Sequence, residues 1–179
     1  MQQKRRQLML FAAAALAGAR PLHAATDDKK AAARDLRWDD LVPKGWNPID
    51  EYRKAHPMLE GDSPEGMQAM REIWDGAPTL KTLDGQTVRI PGYVVPLDAV
   101  QDAMKEFLLV PYFGACIHTP PPPANQIVHV LPAVPAKGLR AMEVVWVRGV
   151  MQARRGDSMM GASGYRIEKA SIEPYERKK

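Results

Sequence analysis

From Leu80 onward, apolar residues stop recurring at helical spacing. They gather instead into short runs rich in Val, Ile and Tyr, each bounded by Pro or Gly. Five such runs, over 87–97, 107–110, 127–131, 143–151 and 163–170, have the length and composition of strands. Few helical patterns separate them, and the spacing itself leaves a barrel and a sandwich open. The expected fold is mainly β: a small five-stranded, OB-like, partly open barrel preceded by short helices. Pro91-Gly92 inside the first run marks a bulge or corner, and a strongly coiled first strand favours a barrel over a sandwich. With one cysteine, Cys116, the chain has no internal disulfide to lean on and is held by an apolar core.

The helical part lies ahead of the barrel. Ser63, Pro64 and Glu65 open a helix over 64–75, in which Met67, Met70, Ile73 and Trp74 repeat at three- and four-residue spacing before Gly76 and Pro78 stop it. Residues 48–52 open a further turn. Trp38, Leu41, Val42 and Trp46 suit one side of a short helical segment interrupted by Pro43 and Gly45. Trp38, Trp46, Trp74 and Trp146 read as core residues. The methionines, including Met67, Met70, Met104, Met142, Met151 and the pair Met159-Met160, form no dense Met-x-Met array and read as packing or loop residues. His56, before Pro57, reads as a solvent-exposed loop residue.

Residues 1–24 form a unit of their own. Lys4-Arg5-Arg6 precedes an alanine-rich apolar run, and Leu22-His23-Ala24 fits a cleavage site, so these residues are expected to be a cleaved secretory signal. The apolar run is shorter than the roughly 20 residues a membrane span needs. Export would be by the general secretory route, or by the twin-arginine route that Arg5-Arg6-Gln7-Leu8 resembles. Residues 25–37 are rich in Ala, Asp, Lys and Arg and read as a flexible leader; 38–179 then form a single globular, β-rich domain. The signal holds four of the 25 bases and none of the 21 acids, so the rest of the chain balances at 21 of each. A nucleic-acid partner is thereby excluded, because the basic surface it requires is missing. Arg148, Arg154 and Arg155 read as a solvated strand end.

One segment departs from scaffold composition, Pro111-Tyr112-Phe113-Gly114-Ala115-Cys116-Ile117-His118-Thr119-Pro120-Pro121-Pro122-Pro123-Ala124-Asn125-Gln126. Four consecutive prolines impose a polyproline II path and hold what precedes them at a fixed angle. Cys116 and His118 share a face of extended backbone, and His129 on the following strand is placed to meet them. Three readings stay open. Cys116 is a buried small hydrophobe among ordinary histidines. Alternatively Cys116, His118 and His129 bind zinc or copper(I), with Asp98, Glu106 or a water completing the shell. In the third reading Cys116 is a nucleophile with His118 or His129 as base and Asn125 orienting it, although the prolines deny it a helix start.

The stretch from Ile90 to Asp98, the run from Glu106 to Gln126, the lead-in Trp38-Asp39-Asp40-Leu41-Val42-Pro43 and the late Val147-Arg148-Gly149-Val150 together resemble the family named domain of unknown function 3299. The resemblance spans about 38 to 175, and its Cys-x-His-Thr-Pro-Pro-Pro-Pro run is specific. It implies an exported protein of a Gram-negative bacterium, in some members encoded beside ABC transporter components of the lipoprotein-release or macrolide-export type. The expectation is therefore a soluble periplasmic accessory protein rather than an enzyme. It would not be embedded in the membrane, would bind a transition metal, zinc favoured, through Cys116, His118 and His129, and would work beside an ABC transporter component. Alternatives are a metal-free docking module using Pro120–Pro123 with Tyr112 and Phe113, and a cysteine–histidine thiol enzyme.

Overall fold

Asn47 and Ser63 start the two α-helices. Each side-chain oxygen accepts from the first turn, Asn47 Oδ1 from Ile49 N at 2.9 Å and Ser63 Oγ from Gly66 N at 3.0 Å, and each precedes a proline that lacks the N–H a first turn cannot satisfy. The computed structural model describes residues 32–98, 103–115 and 121–176. Within them the chain forms β1 (Arg34–Asp35), a 3-10 turn (Trp38–Leu41), α1 (Pro48–Ala55), α2 (Pro64–Asp75), β2 (Thr87–Pro96), β3 (Ala103–Met104) and β4 (Phe107–Val110). It continues through β5 (Val128–Pro132), β6 (Ala136–Lys137), β7 (Val144–Gln152), β8 (Gly156–Ser158), β9 (Gly161–Ser163) and β10 (Tyr165–Pro174). The expected signal over 1–24 lies outside the described residues. Part of the stretch read as a leader is structured: Arg34 and Asp35 pair with Val88 and Arg89, and Leu36 is buried in the core.

The five long strands close into a barrel in the order β2-β4-β5-β10-β7, with β7 returning to β2. In chain order of these five, that is first-second-third-fifth-fourth-first. The third and fifth, β5 and β10, run parallel, and all other barrel pairs are antiparallel. The expected small barrel is present, and it closes fully: β2 and β7 stay in register from Thr87↔Val150 to Tyr93↔Val144. Alternate residues supply the interior, Val88, Ile90 and Val94 from β2 meeting Phe107, Val130, Val147 and Ile167.

Pro91-Gly92 is a corner without being a bulge. The register against β7 is unbroken there, and β2 takes up β4 as a partner from Tyr93. The bulge is in β10, where Lys169 has φ 51° and pairing slips between Glu168 and the residues beyond. Gly92 serves a different need. A Cβ there would lie 2.7 Å from Leu109 Cγ and 2.8 Å from Trp38 Cζ2, so its absence lets the Trp38 indole lie on the strand and donate from Nε1 to Pro91 O at 2.8 Å.

A buried tyrosine fastens the helical part to the barrel. The Tyr165 hydroxyl donates to Leu41 O and accepts from Leu80 N, both at 2.7 Å. The helices pack against each other through small residues. The buried positions of α2 are Gly66 and Ala69, and a Cβ on Gly66 would come within 2.8 Å of the Tyr52 hydroxyl. Of the expected stripe, Met70, Ile73 and Trp74 are half-buried while Met67 is 56% exposed, because the closest helix contact takes the glycine and alanine face. Trp146 also departs from its core reading, lying on the outer barrel face with the Arg89 guanidinium 4.0 Å above its ring and Tyr175 stacked 5.7 Å away. Among the described residues no helix is long and apolar enough to cross a membrane.

Candidate functional site

The outside of the barrel is not all solvent. On β4, Phe107 and Leu109 point inward, while Leu108 and Val110 point outward and are nevertheless buried. With Val95, Ala115 and Ile127 they form a second apolar cluster, flanked by Tyr93, Leu97, Met142 and Met160. The segment that leaves β4 at Pro111 supplies part of this cover. It turns at Gly114, with φ 84°, whose N–H donates to Met142 Sδ at 3.2 Å, and buries Ala115 against the sheet. Phe113 meets Tyr93 edge to face at 6.0 Å yet stays 65% exposed, with Tyr112 also exposed beside it.

Cys116 and His118 lie outside the described residues, as does Pro120. The chain is described again at Pro121, whose carbonyl accepts from Trp74 Nε1 at 3.1 Å. Pro123, at φ −56° and ψ 149°, has the expected polyproline II geometry. Asn125 is fully buried and its Nδ2 donates to Pro78 O at 3.0 Å, so this amide fastens the exit of the segment to the stretch that follows α2.

His129 stands directly opposite Leu108 in the β4–β5 ladder, which puts both side chains on the outer face. Its Nε2 lies 3.1 Å from Glu106 Oε2, and the imidazole is 16% exposed. The carboxylate accepts from Nε2–H in the neutral ring, which leaves Nδ1 with its lone pair. Nδ1 faces the β8–β9 hairpin: a Cβ on Gly156 would lie in ordinary contact with it at 3.7 Å, its tighter neighbour being Ser163 Oγ at 3.0 Å. Of the two acids proposed from sequence, the structure brings Glu106 to His129; Asp98 follows the end of β2. No cluster of three or more His, Cys, Asp or Glu side chains occurs among the described residues. His56 rests against the Tyr52 ring at 5.4 Å.

A cavity of about 720 Å3 was not anticipated from the sequence. It opens between α2 and the β8–β9 hairpin, and Pro121 forms part of its wall. Its signal in the sequence was the spacing of Met67 and Met70 on one helical face, which alone does not reveal that Met159-Met160 lies opposite.

A closed five-stranded barrel with two short helices ahead of it, its outer face covered in part by the residues that directly follow β4, defines the class as a small, mainly β barrel. The chain belongs to the family described as protein of unknown function (DUF3299), whose pattern matches residues 38–174. It is similar to a DUF3299 family protein from Pseudomonas aeruginosa PAO1 known from a crystal structure. That protein is 36% identical with a TM-score of 0.65, and the match covers 83% of this chain and 100% of the other. No curated protein matches the sequence.

Proposed function

We propose that this protein is a soluble periplasmic accessory that binds a transition metal, zinc favoured, through Cys116, His118 and His129. Its partner would be a component of an ABC-type export or metal-handling system. The observation that carries the reading is the hydrogen bond between His129 Nε2 and Glu106. A carboxylate on one imidazole nitrogen fixes the tautomer and raises the basicity of the other, the usual second partner of a metal-ligating histidine. His129 also shares the outer face with Leu108, against whose cluster Ala115 is packed, and Cys116 follows Ala115 directly. One thiolate and two imidazoles suit zinc and leave a fourth position for water or a carboxylate. The apolar run of residues 8–18 behind Lys4-Arg5-Arg6 supports export.

The test is elemental analysis of protein isolated without chelators, beside Cys116→Ser, His118→Ala and His129→Ala. Near-stoichiometric zinc in the wild type, lost in each variant, is the expected result. Metal-free protein in all four samples would refute it. The exposed aromatic pair Tyr112 and Phe113 would then favour the second reading, a docking face for a partner protein.

A further inference from the structure

The chain has ten methionines, eight of them among the described residues, and the structure sorts those by task. Met104 and Met151 are buried in the barrel core, where a flexible apolar side chain needs no further account. Met67, Met70, Met159 and Met160 line the 720 Å3 cavity between α2 and the turn of the β8–β9 hairpin. Packing accounts for Met160, which also flanks the apolar cluster on the outer barrel face, but not for Met67 or Met159. Met67 is 56% exposed and Met159 fully exposed, so neither is placed there by burial. Two thioethers come from one turn of a helix and two from a hairpin some ninety residues later in the chain, and both pairs line one opening.

We propose that this groove is a thioether site for a soft monovalent cation, Cu(I) or its redox-inert analogue Ag(I), with Met67, Met70, Met159 and Met160 as ligands. Thioether sulfur is a weak hydrogen-bond acceptor and a poor ligand for hard cations, but it selects Cu(I) over the harder divalent ions. The wall offers a cation one aromatic face, that of Trp74, held in place by its Nε1 bond to Pro121 O; the carboxylates of Asp75 and Asp157 are balanced by Arg71 and by Arg155, which pairs with Asp157 at 2.9 Å. The three torsions of each methionine let the two exposed thioethers swing onto a bound ion without moving the backbone. The site shares no ligand with the zinc reading and stands or falls apart from it.

The experiment is titration of Ag(I), in chloride-free buffer, into the full chain carrying Cys116→Ser and labelled with 13C at its methionine methyl groups. The expected result is saturation near one equivalent, with four methyl resonances shifting while those of Met104, Met151 and the exposed Met58 stay in place. Affinity should fall at least tenfold in Met67→Leu/Met159→Leu, and a bicinchoninate competition with Cu(I) under reducing conditions should give the same ranking. Leucine conserves volume, so the fold is kept and circular dichroism checks it. An absence of shifts, shifts as large at Met58 as in the groove, or unchanged affinity when all four groove methionines are leucine would each overturn the proposal. The last outcome would leave the groove as an apolar surface only.

Discussion

Replacing Tyr165 by phenylalanine removes a single oxygen from the end of the barrel. That oxygen is the shared partner of Leu41 O and Leu80 N, each at 2.7 Å, and it joins residues 124 and 85 positions apart. Leu41 is fully buried, so its carbonyl has no water to turn to; Leu80 is only partly covered. An orphaned buried group costs about 1–3 kcal/mol, and the half-exposed donor sits at the lower end, so the expected loss is about 2–4 kcal/mol. For a domain of this size that corresponds to a fall in Tm of about 6–12 °C. Urea unfolding followed by far-ultraviolet circular dichroism should show a lower midpoint with an unchanged slope. Burial also pushes the Tyr165 phenol above its usual 10.0. Above about pH 10 the unfolded chain therefore loses this proton before the folded one does, and stability falls as pH rises toward the folded value. Tyr165→Phe should lack that alkaline component. A loss below about 1 kcal/mol at constant slope would refute the reasoning, since it would mean that both backbone groups find other partners at no cost.

Gly92→Ala should cost about 1–3 kcal/mol, because its Cβ would meet Leu109, Trp38 and the Val110 carbonyl within 3 Å; urea unfolding that matches the wild type would show that the strand yields freely. Glu106→Gln should lower zinc affinity about tenfold by chelator competition if the carboxylate serves His129 as proposed, and unchanged affinity would count against that role. Asp40 is held below its usual 3.8, first by the Arg37 backbone N–H. Its contribution is present above that value and lost as pH falls through the folded pKa, so Asp40→Asn should flatten the acid limb of the stability curve below about pH 4. An acid limb identical to the wild type would rule this out.

The barrel was legible because the alternation that builds it is written in β-branched residues. Val88, Ile90 and Val94 fall on one face of β2, and the strand at 107–110 is found where the sequence puts it. The helix over 64–75 was equally plain, since Ser63, Pro64 and Gly76 punctuate it. What escaped reading was whatever no apolar period marks. The β8–β9 hairpin carries Gly-Asp-Ser and Gly-Ala-Ser, with no apolar period to mark it, and β1 is two charged residues that pair only because β2 offers an edge. On α2 the tightest contact goes to Gly66 and Ala69 rather than to Met67, because helix approach is limited by bulk, which apolar periodicity does not register.

The same distinction decides how much of the site a sequence can give. Residue type nominated His129 and offered two acids, Asp98 and Glu106, with nothing to choose between them. The choice is made by the β4–β5 register: Leu108 opposite His129 sets Glu106, two residues before Leu108, alongside the imidazole. A slip of one residue would turn His129 into the barrel and Val128 and Val130 out of it, and break the pair. The hydrogen bond is thus a consequence of which face of β5 is apolar. Because the interior needs Val128 and Val130, the residue between them must face outward, onto the face where Ala115 packs with Leu108. The packing requirement of the core therefore selects the one histidine on the strand that a ligand arriving from outside the barrel could use.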